Sequence, residues 1–118
     1  MSVAATHNIT IDQGSDFELS VILQEEDGTV NDLTNYSARA QLRKTKDAAT
    51  ISASFSTSIP APTTGEILVT LGNSVTSDLA SSATVGEYFY DLEIFTSDDS
   101  IARRVLQGRV LVTQEVTR

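Results

Sequence analysis

The chain offers few residues with the chemistry of a catalyst. Its one histidine, His7, stands near the amino terminus without a second imidazole to share a metal ion. A serine or threonine nucleophile needs a base within hydrogen-bond reach and a third group that orients this base. One imidazole among many hydroxyl groups does not predict such a triad. The absence of cysteine excludes a thiolate nucleophile, cysteine-type zinc sites and iron–sulfur clusters.

Carboxylates are the other candidates for chemistry. They cluster in Glu25–Asp27, pair in Asp98–Asp99, and alternate at Asp91 and Glu93. A calcium loop places oxygen ligands at alternate positions over a longer stretch, and glycoside hydrolysis needs two carboxylates that flank a cleft. We expect a small chain with short connections to offer little cleft, and we interpret the acidic clusters as polar turns. The sequence thus predicts no catalytic, metal-binding or cofactor-binding residue, and no enzyme.

Composition and charge narrow the class of protein. With 118 residues, residues 1–118 are expected to form one domain, and a hydrophobic content of 40% favours a packed core. The net charge of −8, from 16 acidic and 8 basic residues, repels phosphate-lined partners, so we expect no nucleic acid. The sequence shows neither a signal peptide nor a long apolar run, which predicts a soluble protein made in a cytoplasm, without membrane contact.

The segment Gly86–Thr113 reads as two long strands around a polar turn at Ser97–Ser100. Successive strand residues face opposite sides of a sheet. One side of the first strand then carries Tyr88, Tyr90, Leu92 and Ile94, and the other side carries Phe89, Asp91, Glu93 and Phe95. In the second strand Leu106, Gly108, Val110 and Val112 share a face. We expect a bulge or bend at Gly108.

The rest of the chain has the same pattern of short alternating segments. Strands are predicted at Thr6–Ile11, Asp16–Gln24, Tyr36–Arg43 and Glu66–Leu71, and near Phe55. Helical spacing occurs only within Asn73–Ser82, where Val75 and Leu79 lie four apart, and supports one or two turns. Strands at regular spacing between turn signals predict an all-β fold. We expect an antiparallel β-sandwich of about seven strands with at most one short helical turn.

The outward row of the Gly86 strand is the candidate contact surface. Phe89 and Phe95 bracket Asp91 and Glu93, and aromatic anchors among charges are typical of protein interfaces. Two interpretations remain: this row is an interface, or loops or the amino-terminal segment cover the rings as a minor core. Basic side chains are expected to join the patch: Arg103 and Arg109 from the last strand, and Arg39 and Arg43 across strands from the acids.

Two resemblances add to these expectations. Val85–Tyr90, following Leu79 and Ala80, resembles the corner before the sixth strand of immunoglobulin-like sandwiches. That resemblance implies an immunoglobulin-like topology in which the Tyr88 hydroxyl bonds back to the preceding backbone. Tyr90 departs from the antibody pattern, because antibody domains have cysteine there.

The second resemblance covers most of the chain and rests on several short motifs. They are Asp27-Gly28, Asp32-Leu33-Thr34, Ala40-Gln41-Leu42-Arg43, Gly86-Glu87-Tyr88-Phe89-Tyr90-Asp91-Leu92, Arg103-Arg104-Val105-Leu106-Gln107-Gly108 and Val116-Thr117-Arg118. Together they resemble small virion proteins of tailed bacteriophages, which are similar to the N-terminal domain of baseplate upper proteins. No fibre-forming segment follows Arg118, so we expect a separate subunit.

The phage resemblance implies a non-enzymatic attachment subunit of the tail, baseplate or collar, docking through a sheet face or a strand edge. Its partners would be other virion proteins, in a symmetric oligomer or a homo-oligomer, and its location would be the virion, after synthesis in the cytoplasm of a bacterial host. A capsid decoration protein is the first alternative. The second is a carbohydrate- or surface-binding module, which requires an exposed aromatic platform.

Overall fold

A computed structural model describes residues 5–25, 27–79, 86–114 and 116, and β-strands dominate these residues. The described part of the chain contains nine strands: β1 (Ala5–Thr6), β2 (Ile9–Asp12), β3 (Phe17–Ile22), β4 (Tyr36–Arg43), β5 (Ala53–Ser54), β6 (Ser56–Ser58), β7 (Glu66–Leu71), β8 (Gly86–Thr96) and β9 (Ala102–Thr113). A 3-10 turn at Pro62–Thr64 precedes β7, and the one-turn helix α1, Asn73–Thr76, follows it. Within the described residues, no helix is long and apolar enough to span a membrane.

The strands form two sheets. In the large sheet the order is β1-β9-β8-β4-β5, and β2 also pairs with β9; in the small sheet the order is β3-β7-β6. The predicted all-β sandwich is thus confirmed, with nine strands in the described residues where about seven were expected. Within it, β1 and β2 run parallel to β9, and the other strand pairs are antiparallel.

The core lies between the two sheets and follows from alternation along the strands. Every second residue of β7 is buried, and β4, β8 and β9 bury the corresponding rows from the facing sheet. The side chains with under 2% exposure include Leu42, Ile67, Leu92, Ile94, Val110 and Val112. Burying an aliphatic side chain of this size contributes roughly 2 kcal/mol, so this layer holds the sheets together. The apolar row of β3 is half-buried and packs against the same core.

The one or two helical turns predicted within 73–82 occur as the single turn α1. Of the predicted apolar pair, Leu79 is buried but Val75 is 37% exposed, and the fully buried residue of the helix is Thr76. The Thr76 hydroxyl donates to the carbonyl oxygen of Ser15 at 2.9 Å and accepts from the backbone N–H of Gly14 at 3.1 Å. These bonds satisfy a hydroxyl that would otherwise be costly to bury. The last three residues of the predicted segment lie outside the described part.

The predicted irregularity in β9 occurs three residues before Gly108. Leu92 lies opposite Leu106, but the next residue of β8 lies opposite Arg104, which leaves Val105 as the extra residue of a β-bulge. Because of the bulge, each residue of β9 before Val105 faces the side of the sheet opposite to the one that simple alternation predicts. The prediction of a bulge at Gly108 is therefore wrong, and that glycine has another role.

Gly108 allows the connection between β1 and β2 to pass very close to β9. A Cβ atom on Gly108 would lie 2.2 Å from the carbonyl oxygen of His7, too close for any real side chain. Tyr90 lies opposite Gly108 and donates its hydroxyl to the same His7 oxygen at 2.5 Å. Burial raises the pKa of Tyr90 to about 12. The tyrosine thus fastens the amino-terminal strands over a glycine gap in β9.

The predicted corner tyrosine, Tyr88, is buried in the core with 5% exposure. The backbone that precedes its strand, residues 80–85, lies outside the described residues. The corner hydrogen bond therefore stays a prediction.

Replacing Gly108 with alanine should destabilise the fold by about 3 kcal/mol, because the new methyl group meets the backbone oxygen of His7. Denaturant unfolding followed by circular dichroism measures the change. Gly72→Ala is the control, since a Cβ atom there has no neighbour within 4 Å; it should cost less than about 1 kcal/mol. Equal stabilities of the two variants would contradict the close approach.

Tyr90→Phe should change how stability depends on alkaline pH. The folded state keeps the Tyr90 proton that the unfolded chain releases near pH 10, so wild-type stability falls from pH 10 to about 12 and then levels off. This contribution amounts to roughly 2 kcal/mol. Unfolding free energies of wild type and variant across this range should differ by a pH-dependent amount. A constant difference would show that the Tyr90 hydroxyl ionises normally.

Candidate functional site

The outer face of the large sheet, turned away from the core, is ordered in rows by the strand register. Each row takes one side chain from β4, one from β8 and one from β9. The rows are Arg43–Phe89–Arg109, Gln41–Asp91–Gln107, Arg39–Glu93–Arg104 and Ser37–Phe95–Ala102. Cross-strand neighbours of this kind lie about 5 Å apart, so each row brings its side chains into mutual reach.

A groove with a volume of about 670 Å³ runs over this face. Its floor and sides come from β4, β8 and β9. Thr6 and Asn8 border it on the side of the amino-terminal strands, and Lys46 borders it from the loop after β4. The sequence-based expectation of little cleft is therefore wrong, because residues of the loop and of the amino-terminal segment add to the lining that the sheet provides. We call this feature the groove from here on.

One end of the groove, which we call the basic end, gathers three cations around Phe89. Lys46 places its Nζ 5.6 Å from the centre of the Phe89 ring. The Arg43 guanidinium donates to the carbonyl oxygen of Ala48 at 2.7 Å and to the side-chain oxygen of Gln41 at 3.0 Å. Both acceptors are neutral, so they orient the Arg43 side chain without cancelling its charge.

The third cation of the basic end is Arg109. Its Nη1 lies 3.7 Å from a carboxylate oxygen of Glu87, and both side chains are more than half exposed. Water screens an ion pair of this kind strongly, so it contributes little stability and leaves the arginine available. The backbone N–H of Arg109 donates to the side-chain oxygen of Asn8 at 2.9 Å, which anchors this part of β9 to the amino-terminal segment.

The opposite end of the groove is acidic. Arg39 forms an ion pair with Glu93, with Nε donating to Oε1 at 2.5 Å, and lies 3.5 Å from a carboxylate oxygen of Asp99. The Arg39 guanidinium carbon also lies 4.2 Å from the centre of the Phe95 ring. Two carboxylates therefore share one arginine, which is held by the ring beneath it. The charges at this end therefore nearly balance, whereas the basic end has an excess of positive charge.

The β8–β9 turn beside the acidic end is held by Asp98. Its Oδ1 accepts from the backbone N–H of Ser100 at 3.0 Å and from the Thr96 hydroxyl at 2.9 Å. The bond from the Ser100 N–H is the main cause that lowers the Asp98 pKa to about 2. Asp99 next to it adopts a φ of 58°, a left-handed conformation that aspartate tolerates in turns. The sequence analysis interpreted this acidic pair as a polar turn, and the geometry agrees with that interpretation.

The middle of the groove is polar. Arg104 lies 3.7 Å from an oxygen of Asp91 and donates to the side-chain oxygen of Gln107 at 2.7 Å. Gln41 lies on the other side of Asp91 in the same row. These side chains connect the basic end with the acidic end through hydrogen-bonding groups.

The structure places most of the predicted contact residues on this face. Phe89, Asp91, Glu93 and Phe95 lie on the outer side of β8, with Arg109 beside them. Arg103 does not join them: it lies opposite Ile94, a fully buried core residue, and so faces the other side of the sheet.

The sequence analysis missed two charged residues of the groove, Arg104 and Lys46, as well as its uncharged polar residues. Arg104 stands where Arg103 was expected, because the bulge at Val105 changes the alternation of β9. Lys46 belongs to a loop, and strand periodicity says nothing about how a loop folds back on a sheet. The bulge was expected at Gly108, so the sequence held no signal for Arg104.

The two phenylalanines are half-buried rather than bare. Lys46 lies over Phe89 and Arg39 lies over Phe95, so each ring holds a cation at its face. A stacked sugar ring would need that position. The rings therefore position basic side chains along the groove instead of forming an open aromatic platform.

The groove concentrates the basic residues of an acidic chain. Five of the eight lysine and arginine residues line it, namely Arg39, Arg43, Lys46, Arg104 and Arg109, together with two carboxylates, Asp91 and Glu93. The lining residues alone have an excess of three positive charges, and Glu87 and Asp99, which pair with Arg109 and Arg39 from outside the lining, reduce it to one. The whole chain has a net charge of −8. Guanidinium groups in such a setting bind carboxylate or phosphate oxygens through charge-assisted hydrogen bonds. In the described residues, no group of three or more potential metal ligands is gathered.

Chains of solved structures are similar to this chain in backbone shape. No protein-family model and no curated protein sequence matches the chain. A solved structure from the analysis of a family 123 glycoside hydrolase from Clostridium perfringens matches 96% of this chain and 24% of that chain, with 12% sequence identity and a TM-score of 0.37. This chain thus spans about a quarter of that chain.

The structural match corrects one prediction. The sequence analysis excluded an enzyme, yet the matched structure is that of a glycoside hydrolase, so the exclusion is withdrawn. At a TM-score of 0.37, the match assigns neither a fold family nor an activity to this chain.

Titration of the Asp98 carboxyl by carbon-detected NMR should give a midpoint at about 2, below the ordinary 3.8, because the turn donates hydrogen bonds to the ionised form. The contribution of Asp98 to stability is then present above pH 3.8 and lost as the pH falls towards 2. Thr96→Val removes one donor and should raise the midpoint. An ordinary midpoint in the wild-type protein would contradict the geometry of the turn.

Proposed function

We propose that the protein is an attachment subunit of a tailed-phage particle and that it binds a neighbouring particle protein through the groove. The phage assignment rests on the sequence motifs that resemble virion proteins of tailed bacteriophages. The docking face rests on the structure of the groove itself.

The observation that carries the docking face is the concentration of five of the eight basic side chains along one groove of an acidic chain. Arg39, Arg104 and Arg109 have carboxylate partners on the same face. The described contacts of Arg43 are to neutral oxygens, and that of Lys46 is to the Phe89 ring. A partner that supplies carboxylates would neutralise the positive charge left at these two side chains.

A protein partner suits this face better than a neutral sugar does. Carbohydrate modules use open aromatic rings for stacking, whereas cations lie over both Phe89 and Phe95. Protein interfaces combine aromatic and arginine side chains with hydrogen-bonding groups, as the middle of the groove does. This contrast favours the attachment subunit over the carbohydrate-binding alternative.

Attachment through this face would need a contact area of ordinary size. A standard protein interface buries about 800 Å² on each side, roughly a tenth of the 7189 Å² surface of the described structure. Contacts of this size are often weak individually. On a symmetric particle, repeated copies would bind together and gain avidity.

Blocking the groove without changing charge tests this proposal. Gln41 lies in the middle row of the groove, and Gln41→Trp fills the space there. We expect the variant to melt within a few degrees of wild type and to be lost from purified particles by at least about tenfold, because a filled groove excludes the partner. Quantitative mass spectrometry of particles grown with the variant in place of the natural chain measures this.

Ser56→Trp is the matched control, since it adds the same side chain at an exposed position of β6 in the small sheet. It should enter particles like the wild type. Equal incorporation of both variants would rule out the groove as the docking face. Absence of the wild-type chain from purified particles would overturn the attachment function itself.

A further inference from the structure

We infer that the basic end of the groove is a binding site for the carboxylates of a short acidic segment of the protein partner. This inference rests on the proposed docking face and adds the chemistry of the ligand. It concerns three cations, Arg43, Lys46 and Arg109, and the ring of Phe89 between them.

The geometry of these cations suits an extended peptide. Arg43 and Arg109 lie on β4 and β9, on either side of β8, so their backbones are roughly 10 Å apart. Carboxylates at alternate residues of an extended peptide are about 7 Å apart. The flexible side chains of arginine and glutamate bridge that difference. A peptide lying across the strands therefore reaches both guanidinium groups with two of its carboxylates.

The described contacts of the three cations at the basic end leave them able to bind an anion. The described hydrogen bonds of Arg43 run to the neutral oxygens of Gln41 and Ala48. Arg109 has an exposed ion pair of 3.7 Å, which a closer carboxylate would replace at little cost. Lys46 lines the groove with its Nζ 5.6 Å from the ring centre of Phe89, and no carboxylate is among its described contacts.

The charges outside the basic end restrict the ligand to a short segment. At the opposite end, Glu93 and Asp99 share Arg39, and a bound carboxylate there would meet repulsion. The chain as a whole carries −8. A long polyanion, such as a nucleic acid or an acidic polysaccharide, would extend from the basic end over this acidic surface, whereas a short acidic segment would not.

The first experiment measures binding of a fluorescein-labelled oligoglutamate peptide to the whole chain by fluorescence anisotropy, with the equally labelled oligoglutamine peptide as reference. We expect oligoglutamate to bind and its affinity to fall with added salt, because the contacts are ionic. Oligoglutamine should not bind. Equal binding of the two peptides, or no binding of oligoglutamate at low ionic strength, would overturn the inference.

Single charge removals locate the site. Lys46→Gln and Arg109→Gln should each weaken oligoglutamate binding by about threefold, the range of one exposed ionic contact. Lys44→Gln is the matched control: it removes the same charge two residues from Lys46, at an exposed position that does not line the groove. Equal losses for Lys44→Gln and Lys46→Gln would show a net-charge effect and reject the site.

Competition identifies the class of ligand. Single-stranded oligothymidine and polygalacturonate should displace the peptide less well than unlabelled oligoglutamate at equal charge. Stronger displacement by either polymer would overturn the assignment to a peptide. If oligoglutamate fails to bind while Gln41→Trp still abolishes incorporation into particles, the acidic-segment inference fails and the proposed docking face stands.

Discussion

The pairing of β8 between β4 and β9 is the constraint on which the rest of the structure depends. The inner side of β8 supplies Tyr90, Leu92 and Ile94 to the core, and its outer side forms the floor of the groove. Both sides are bound by the same backbone hydrogen bonds, so the register that fills the core also sets which side chains meet outside. A one-residue slip would exchange the two faces and lose both.

The alternation of apolar residues was enough to predict the sandwich. Tyr36–Arg43 and Glu66–Leu71 form strands with the predicted bounds, and the outward row of β8 faces away from the core as expected. Long, strongly alternating segments are the easiest to interpret because burial of one face outweighs local preferences.

The features of the structure that the sequence did not predict depend on contacts between segments that are distant along the chain. Val105 forms the bulge through its pairing with β8, and Gly108 is required by the passage of His7 over β9. Lys46 reaches the groove through the fold of its loop. None of these contacts leaves a local pattern in the chain. The groove is assembled from such contacts, so its existence was missed although most of its floor was predicted.

The parallel pairing of β1 and β2 with β9 has a mechanical consequence. The first and last described strands run in the same direction, side by side, from Ala5 opposite Leu106 to Asp12 opposite Thr113. Tension that separates the two ends of the described chain therefore acts along these strands and loads their hydrogen bonds together, in shear. Antiparallel neighbours pulled apart from one end would instead open one bond at a time. This pairing makes the sandwich resistant to stretching along its own length.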